Sequence, residues 1–365
     1  MRKFIRIMGS IFLFLIAGHN LFSQSEKIKT DWLFIYYMPY DNDLSKHGEP
    51  IIKMIGDNIR SENVMVTIQA EFANSHGMKR YLITNQGITT TSIDNDRSAS
   101  INTYKEYLEW VKEKVIYNKL AVIFLDHGGK LDEICLDEKP IRQFLKIDEI
   151  KSTLINIFGI KSINLLFLQV CTKGTIEALY ELKDTAKYTL CSQIVLGAPN
   201  AYYKGLFSAF SNQIINTGYD VAELIVGNEA SDMYNSYTLI DNTKMDNLFS
   251  LFSEFINEIK NMNIQLSGWP LNILHFGERY WDIISFLENI PEFKYKTRLM
   301  GYIKNELIVF HKINPSPMKD QNQKVRISIP MNRYSGLSMS REMDNKYDRL
   351  EFYKLLKPIR EMNRN

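Results

Sequence analysis

The chain has 365 residues, 45% hydrophobic and 24% charged, a balance that excludes a disordered polymer and allows one large core. Its formal charge of +2 sits at the N-terminus, because residues 1–23 hold three basic and no acidic side chains and leave 41 basic against 42 acidic beyond them. Balanced, interspersed charge excludes a cationic nucleic-acid face, and three cysteines are too few and odd in number for a disulfide framework.

Arg2, Lys3 and Arg6 precede an apolar run over 7–17. That run is shorter than the roughly 20 residues a spanning helix needs, so residues 1–23 read as a signal peptide cut after Ser23. The mature chain is expected to be exported to the periplasm, the cell surface or the medium, with no stable membrane insertion. No cysteine near the cut supports a bacterial lipid anchor. Apolar, β-prone runs over 32–38 and 64–70 predict buried strands, and Ile51, Ile52, Met54 and Ile55 predict a helix over 49–60 between them. A short strand over 79–84 follows, then a helix over 101–116 with Tyr104, Leu108, Val111 and Val115 on one face. Strands over 120–125 and 163–168 alternate with helices over 147–157 and 175–182. Strands this apolar have no wet face, so the fold class is α/β, with a mostly parallel sheet covered by helices on both faces. The mature chain divides into a core over 24–205 and a largely helical C-terminal region over 206–365 packed on it. That region has helices over 245–259 and 281–287 and a late strand over 324–329. Residues 314–323, with two prolines and a polar run, read as a loop.

Two of these strands end in reactive side chains. Residues 121–125 run into Asp126, His127, Gly128 and Gly129, and residues 163–168 run into Gln169, Val170 and Cys171. The carboxyl ends of parallel strands form the ligand crevice of an open sheet, so neighbouring strands would bring His127 and Cys171 face to face. His127 can share the thiol proton, and the positive end of the helix starting near Thr175 favours a thiolate. The N–H of Gly128, with that of Cys171, can meet a developing oxyanion. Nucleophile, base and oxyanion donors describe acyl transfer, hence amide or peptide hydrolysis, with no metal or cofactor required. Cys135 and Cys191 read as structural. The run from Asp41 to Ser45 opens like a calcium loop but has Lys46 where glycine is needed and Ile52 where glutamate is needed.

The sequence resembles the clostripain family of cysteine peptidases, distant relatives of caspases, gingipains and legumains. The resemblance rests on residues 40–44, on Asp126-His127-Gly128-Gly129, on Leu136-Asp137-Glu138, and on Cys171-Thr172-Lys173-Gly174 with the helix after it. It continues through residues 188–192, 197–203, 326–330 and 347–352. It implies a caspase-like fold, a His127/Cys171 dyad, an oxyanion role for Gly128, a protein or peptide substrate, and substrate contacts from Gln169, Asn42 and Ser192. Relatives that cut after Arg or Lys carry an aspartate two residues before the cysteine. Here that position is Gln169, whose neutral amide cannot form the charge-assisted, bidentate contact that selects arginine. Relatives also mature by cutting themselves between the histidine and the cysteine, where Arg142-Gln143 is the candidate bond. A catalytically inactive scaffold with the same fold is the alternative, and a hydrolase acting on a small amide is a third reading.

Overall fold

The computed structural model describes residues 27–73, 75–264, 272–275, 278–314, 326–327 and 333–362. The expected signal peptide lies outside them, as do most of the expected loop over 314–323 and most of the late strand. The first half of the chain runs β1 (Ile28–Tyr40), α1 (Ser45–Asn58), β2 (Val64–Phe72), β3 (Met78–Thr84), β4 (Gly87–Ile93), α2 (Ile101–Lys114) and β5 (Val115–Leu125). It continues with β6 (Glu133–Asp137), β7 (Gln143–Lys146), α3 (Ile147–Phe158), β8 (Ile163–Gln169), α4 (Ile176–Leu182) and β9 (Ala186–Cys191). Next come α5 (Tyr203–Ala209), α6 (Gly218–Asn228), β10 (Ser236–Asp241), α7 (Met245–Asn261), β11 (Asn272–His275), β12 (Glu278–Asp282) and α8 (Ile283–Glu288). The chain closes with α9 (Lys294–Tyr302), β13 (Ile308–Ile313), β14 (Arg326–Ile327), β15 (Ser338–Ser340), α10 (Glu351–Leu355) and α11 (Lys357–Met362).

Nine strands form the main sheet in the order β13-β10-β9-β8-β5-β1-β2-β3-β4. The run from β9 through β2 is parallel, and the two strands at each edge are antiparallel. The period of two in a strand explains why its centre reads as unbroken apolar sequence. Along β1, Leu33, Ile35 and Tyr37 enter the core on one face, and Trp32, Phe34, Tyr36 and Met38 enter the core on the other. Helices α2, α3, α4 and α7 cover the first face with Leu108, Ile150, Leu179 and Phe252. Helices α1, α5 and α6 cover the second with Ile51, Phe207 and Val221. Each such side chain contributes about 1.5–3 kcal/mol on burial, which makes these central strands the stable frame for the loops at their ends.

The region over 206–365 carries strands as well as helices: β10 and β13 continue the main sheet, and β14-β11-β12-β15 form a second one. Trp281 belongs to β12 and not to a helix, because it pairs with Met339. The motif Leu136-Asp137-Glu138 begins in a short hairpin, β6 with β7, and not in an irregular loop.

Candidate functional site

Because β1, β5, β8 and β9 are parallel neighbours, the segments leaving their carboxyl ends gather at one edge of the sheet. Leu125 pairs with Gln169, so His127 and Cys171 each lie two residues beyond a paired position. The turns that follow touch at their backbones. A Cβ added at Gly128 would lie 2.0 Å from the Cys171 carbonyl oxygen and 3.1 Å from its nitrogen, an approach open only to glycine. A bridge to Ile134 uses the carbonyl of His127 and the N–H of Gly129, which leaves the Gly128 N–H without a partner among the described residues. Thr172, just after the cysteine, is held at φ +59°, an unusual conformation for a β-branched residue. Its N–H donates to Ile194 O at 2.9 Å, and the Gly174 N–H donates to Ser192 O at 2.8 Å.

Both reactive side chains are partly exposed. The Cys171 thiol donates to the carbonyl of Leu196 at 3.8 Å, and Nε2 of His127 lies 2.7 Å from Oδ1 of Asp43 in the loop after β1. Burial pushes the thiol above its ordinary range and Asp126 adds to this, while a backbone hydrogen bond with Leu196 and the Lys173 ammonium pull it down. Asp126 holds the His127 turn from beneath, accepting from Asn42 Nδ2 at 2.9 Å and from the Leu136 N–H at 2.5 Å. Its own carboxyl is pushed well above the usual range by burial, against these hydrogen bonds. Cys135 and Cys191 are free and buried.

The three expected substrate contacts, Asn42, Gln169 and Ser192, are buried and hydrogen-bonded within the protein in this structure. Asn42 spends its amide on Asp126, on Pro39 O at 3.2 Å and on Leu136 O at 3.0 Å, so it braces the histidine turn. Gln169 donates to Asn200 Oδ1 and to Tyr203 Oη at 3.2 Å, and accepts from Tyr202 Oη at 2.7 Å. Behind it, Asn200 donates to Glu229 Oε2 at 2.7 Å. Ser192 is buried, its hydroxyl accepting from the Ile194 N–H at 3.3 Å. Sequence reasoning missed Asp43 and Lys173. Both stand in the strings that carry the family resemblance, and neither has a local signal that separates it from a solvated charge.

The class is that of α/β proteins with a mostly parallel sheet, here with a thiol and an imidazole beyond adjacent strand ends and Gly128 against the Cys171 peptide. The chain belongs to the clostripain family, whose profile matches residues 36–363. Its fold is that of a secreted C11 cysteine protease from Bacteroides thetaiotaomicron, solved with an irreversible peptide inhibitor. The TM-score is 0.71 at 14% identity, over 90% of this chain and 99% of that one. An inactive zymogen C11 protease from Parabacteroides distasonis superposes with a TM-score of 0.65 at 14% identity, over 90% and 98% of the two chains. No curated protein matches the sequence.

Proposed function

We propose that the chain is an exported cysteine endopeptidase in which Cys171 is the nucleophile and His127 the general acid and base. The observation that supports this reading is the close approach of Gly128 to the Cys171 peptide, which brings the two strand ends together. The thiolate adds to the scissile carbonyl while the N–H groups of Gly128 and Cys171 receive the oxyanion. Imidazolium then gives its proton to the departing amine, and the neutral ring activates the water that releases the acyl group from sulfur. Asp43 at Nε2 leaves Nδ1 to carry that proton.

The relative solved with an irreversible peptide inhibitor supports a peptide substrate. A thiol-reactive peptide probe should label the wild-type chain and not Cys171→Ala, and labelling should precede loss of peptide hydrolysis one for one. A catalytically silent scaffold is the second reading. It is favoured by the separate partners of thiol and imidazole in this structure, and it predicts a wild type that the probe does not label. Hydrolysis of small amides with no action on peptides would instead place the enzyme in another hydrolase class.

A further inference from the structure

Lys173, two residues after the cysteine, is a lysine with no exposed surface. A buried ammonium is expensive to desolvate unless its hydrogen bonds are met. Here Nζ donates to the carbonyl of Gly129 at 3.0 Å and to that of Lys130 at 2.6 Å. Both carbonyls belong to the turn after His127. That turn is otherwise closed on itself: Gly129 N–H donates to Glu133 O at 3.0 Å, Glu133 N–H to Lys130 O at 3.0 Å, and Lys130 N–H to the Glu133 carboxylate at 3.1 Å. The lysine is therefore a side-chain bridge between the cysteine turn and the histidine turn, at the place where Gly128 meets the Cys171 peptide.

We propose that Lys173 is a positioning residue for the reaction: its ammonium staples the His127 turn to the Cys171 turn and places a positive charge at the junction of the two turns. The inference rests on Cys171 being the nucleophile. Two functions separate here by chemistry. The two carbonyl bonds need donors, which an amide can imitate, whereas stabilising a thiolate needs charge, which an amide lacks. Around the thiol, Asp126 acts against ionisation and Lys173 acts for it, while the imidazole of His127 is paired with Asp43. In this proposal the lysine supplies the charge, and the histidine moves the proton.

The test uses the whole mature chain as wild type, Lys173→Gln, Lys173→Met and Cys171→Ala. The rate of alkylation by iodoacetamide is followed from pH 5 to 10, with Cys171→Ala as the blank for the two buried thiols. Lys173→Gln should alkylate about tenfold more slowly at pH 7 and recover at high pH, with KM for a peptide within about threefold of wild type. Lys173→Met should show the same displaced profile and a further fall in kcat as the turns part. Profiles that coincide with wild type, with only a lower melting temperature, would overturn the proposal. Should neither variant fold, Lys173→Arg, which keeps both charge and donors, decides: a folded protein with the wild-type alkylation profile supports it, and a displaced profile overturns it. A wild type that the peptide probe fails to label refutes the peptidase reading itself, whatever the lysine variants do.

Discussion

Replacing Gly128 by alanine tests the contact on which the site depends. The added methyl would fall 2.0 Å from the carbonyl oxygen of Cys171 and 2.9 Å from its carbonyl carbon, where ordinary contact begins near 3.4 Å. The obstacle is backbone on both sides, so no rotamer relieves it. The turns must separate by about 1 Å, and forced overpacking of this kind typically costs about 1–3 kcal/mol. Misplacement by about 1 Å is worth on the order of 10²-fold in rate, and a lost oxyanion donor about 10²- to 10³-fold. The expected outcome is a fall in kcat/KM of at least about 10²-fold, or about 2.7 kcal/mol of transition-state stabilisation. The melting temperature should drop by a few degrees, with the circular dichroism spectrum kept. Hydrolysis of a fluorogenic peptide and a thermal melt measure both. Activity within tenfold of wild type would mean that the Gly128 and Cys171 backbones do not share a reacting carbonyl.

Three further expectations concern the neighbourhood. Gln169→Leu takes from the buried Tyr202 hydroxyl its acceptor at 2.7 Å, leaving it only Tyr36 Oη at 3.4 Å, and from Asn200 Oδ1 its Gln169 donor, which should lower unfolding free energy in urea by about 1–3 kcal/mol; an unchanged midpoint would show that the network is not intact in solution. The Arg142-Gln143 bond lies at the end of an exposed turn between β6 and β7 and is open to attack, yet Gln169 offers no charge to an arginine. Intact mass after prolonged incubation should therefore show an uncut chain, and a Cys171-dependent cut at that bond would contradict the role given to Gln169. Glu71 has its carboxyl raised to about 7 by burial and by repulsion from Asp137 and Asp41, with the nearby Ser98 acting against them. With the folded value above the unfolded one, its contribution to stability is full below about 4.5 and is lost as pH rises through about 7. Glu71→Gln should be more stable than wild type at pH 8, by on the order of 1–3 kcal/mol, and nearly equal to it at pH 5; urea unfolding at the two pH values would expose the opposite dependence.

The central strands were legible because burial on both faces writes itself as continuous apolar sequence, and β1, β5 and β8 all carry that mark. The edges were not. Along β4 the run of three threonines is exposed and is ordered by pairing with β3 alone, while β10 and β13 are short and lie between helices whose periodicity dominates the sequence there. The same physics governs the site. His127 and Cys171 could be found because each ends a legible strand, but Lys173 reads as a surface charge until the carbonyls it serves are seen. Gln169 and Asn42 were found at this edge of the sheet without the partners that hold them, since strand-end position fixes where a side chain starts and tertiary partners fix where its amide points.

The histidine turn is also tied to the far end of the chain. Arg349 donates to Asp132, in that turn, and through Nε to Asp148 Oδ2 at 2.9 Å, while the N–H of Ser338 reaches the Gly174 carbonyl at 2.8 Å. Synthesis is directional and domains settle from the N-terminus onward. A nascent chain thus displays both reactive residues long before it owns their brace, and the site is finished only when residue 349 has left the ribosome.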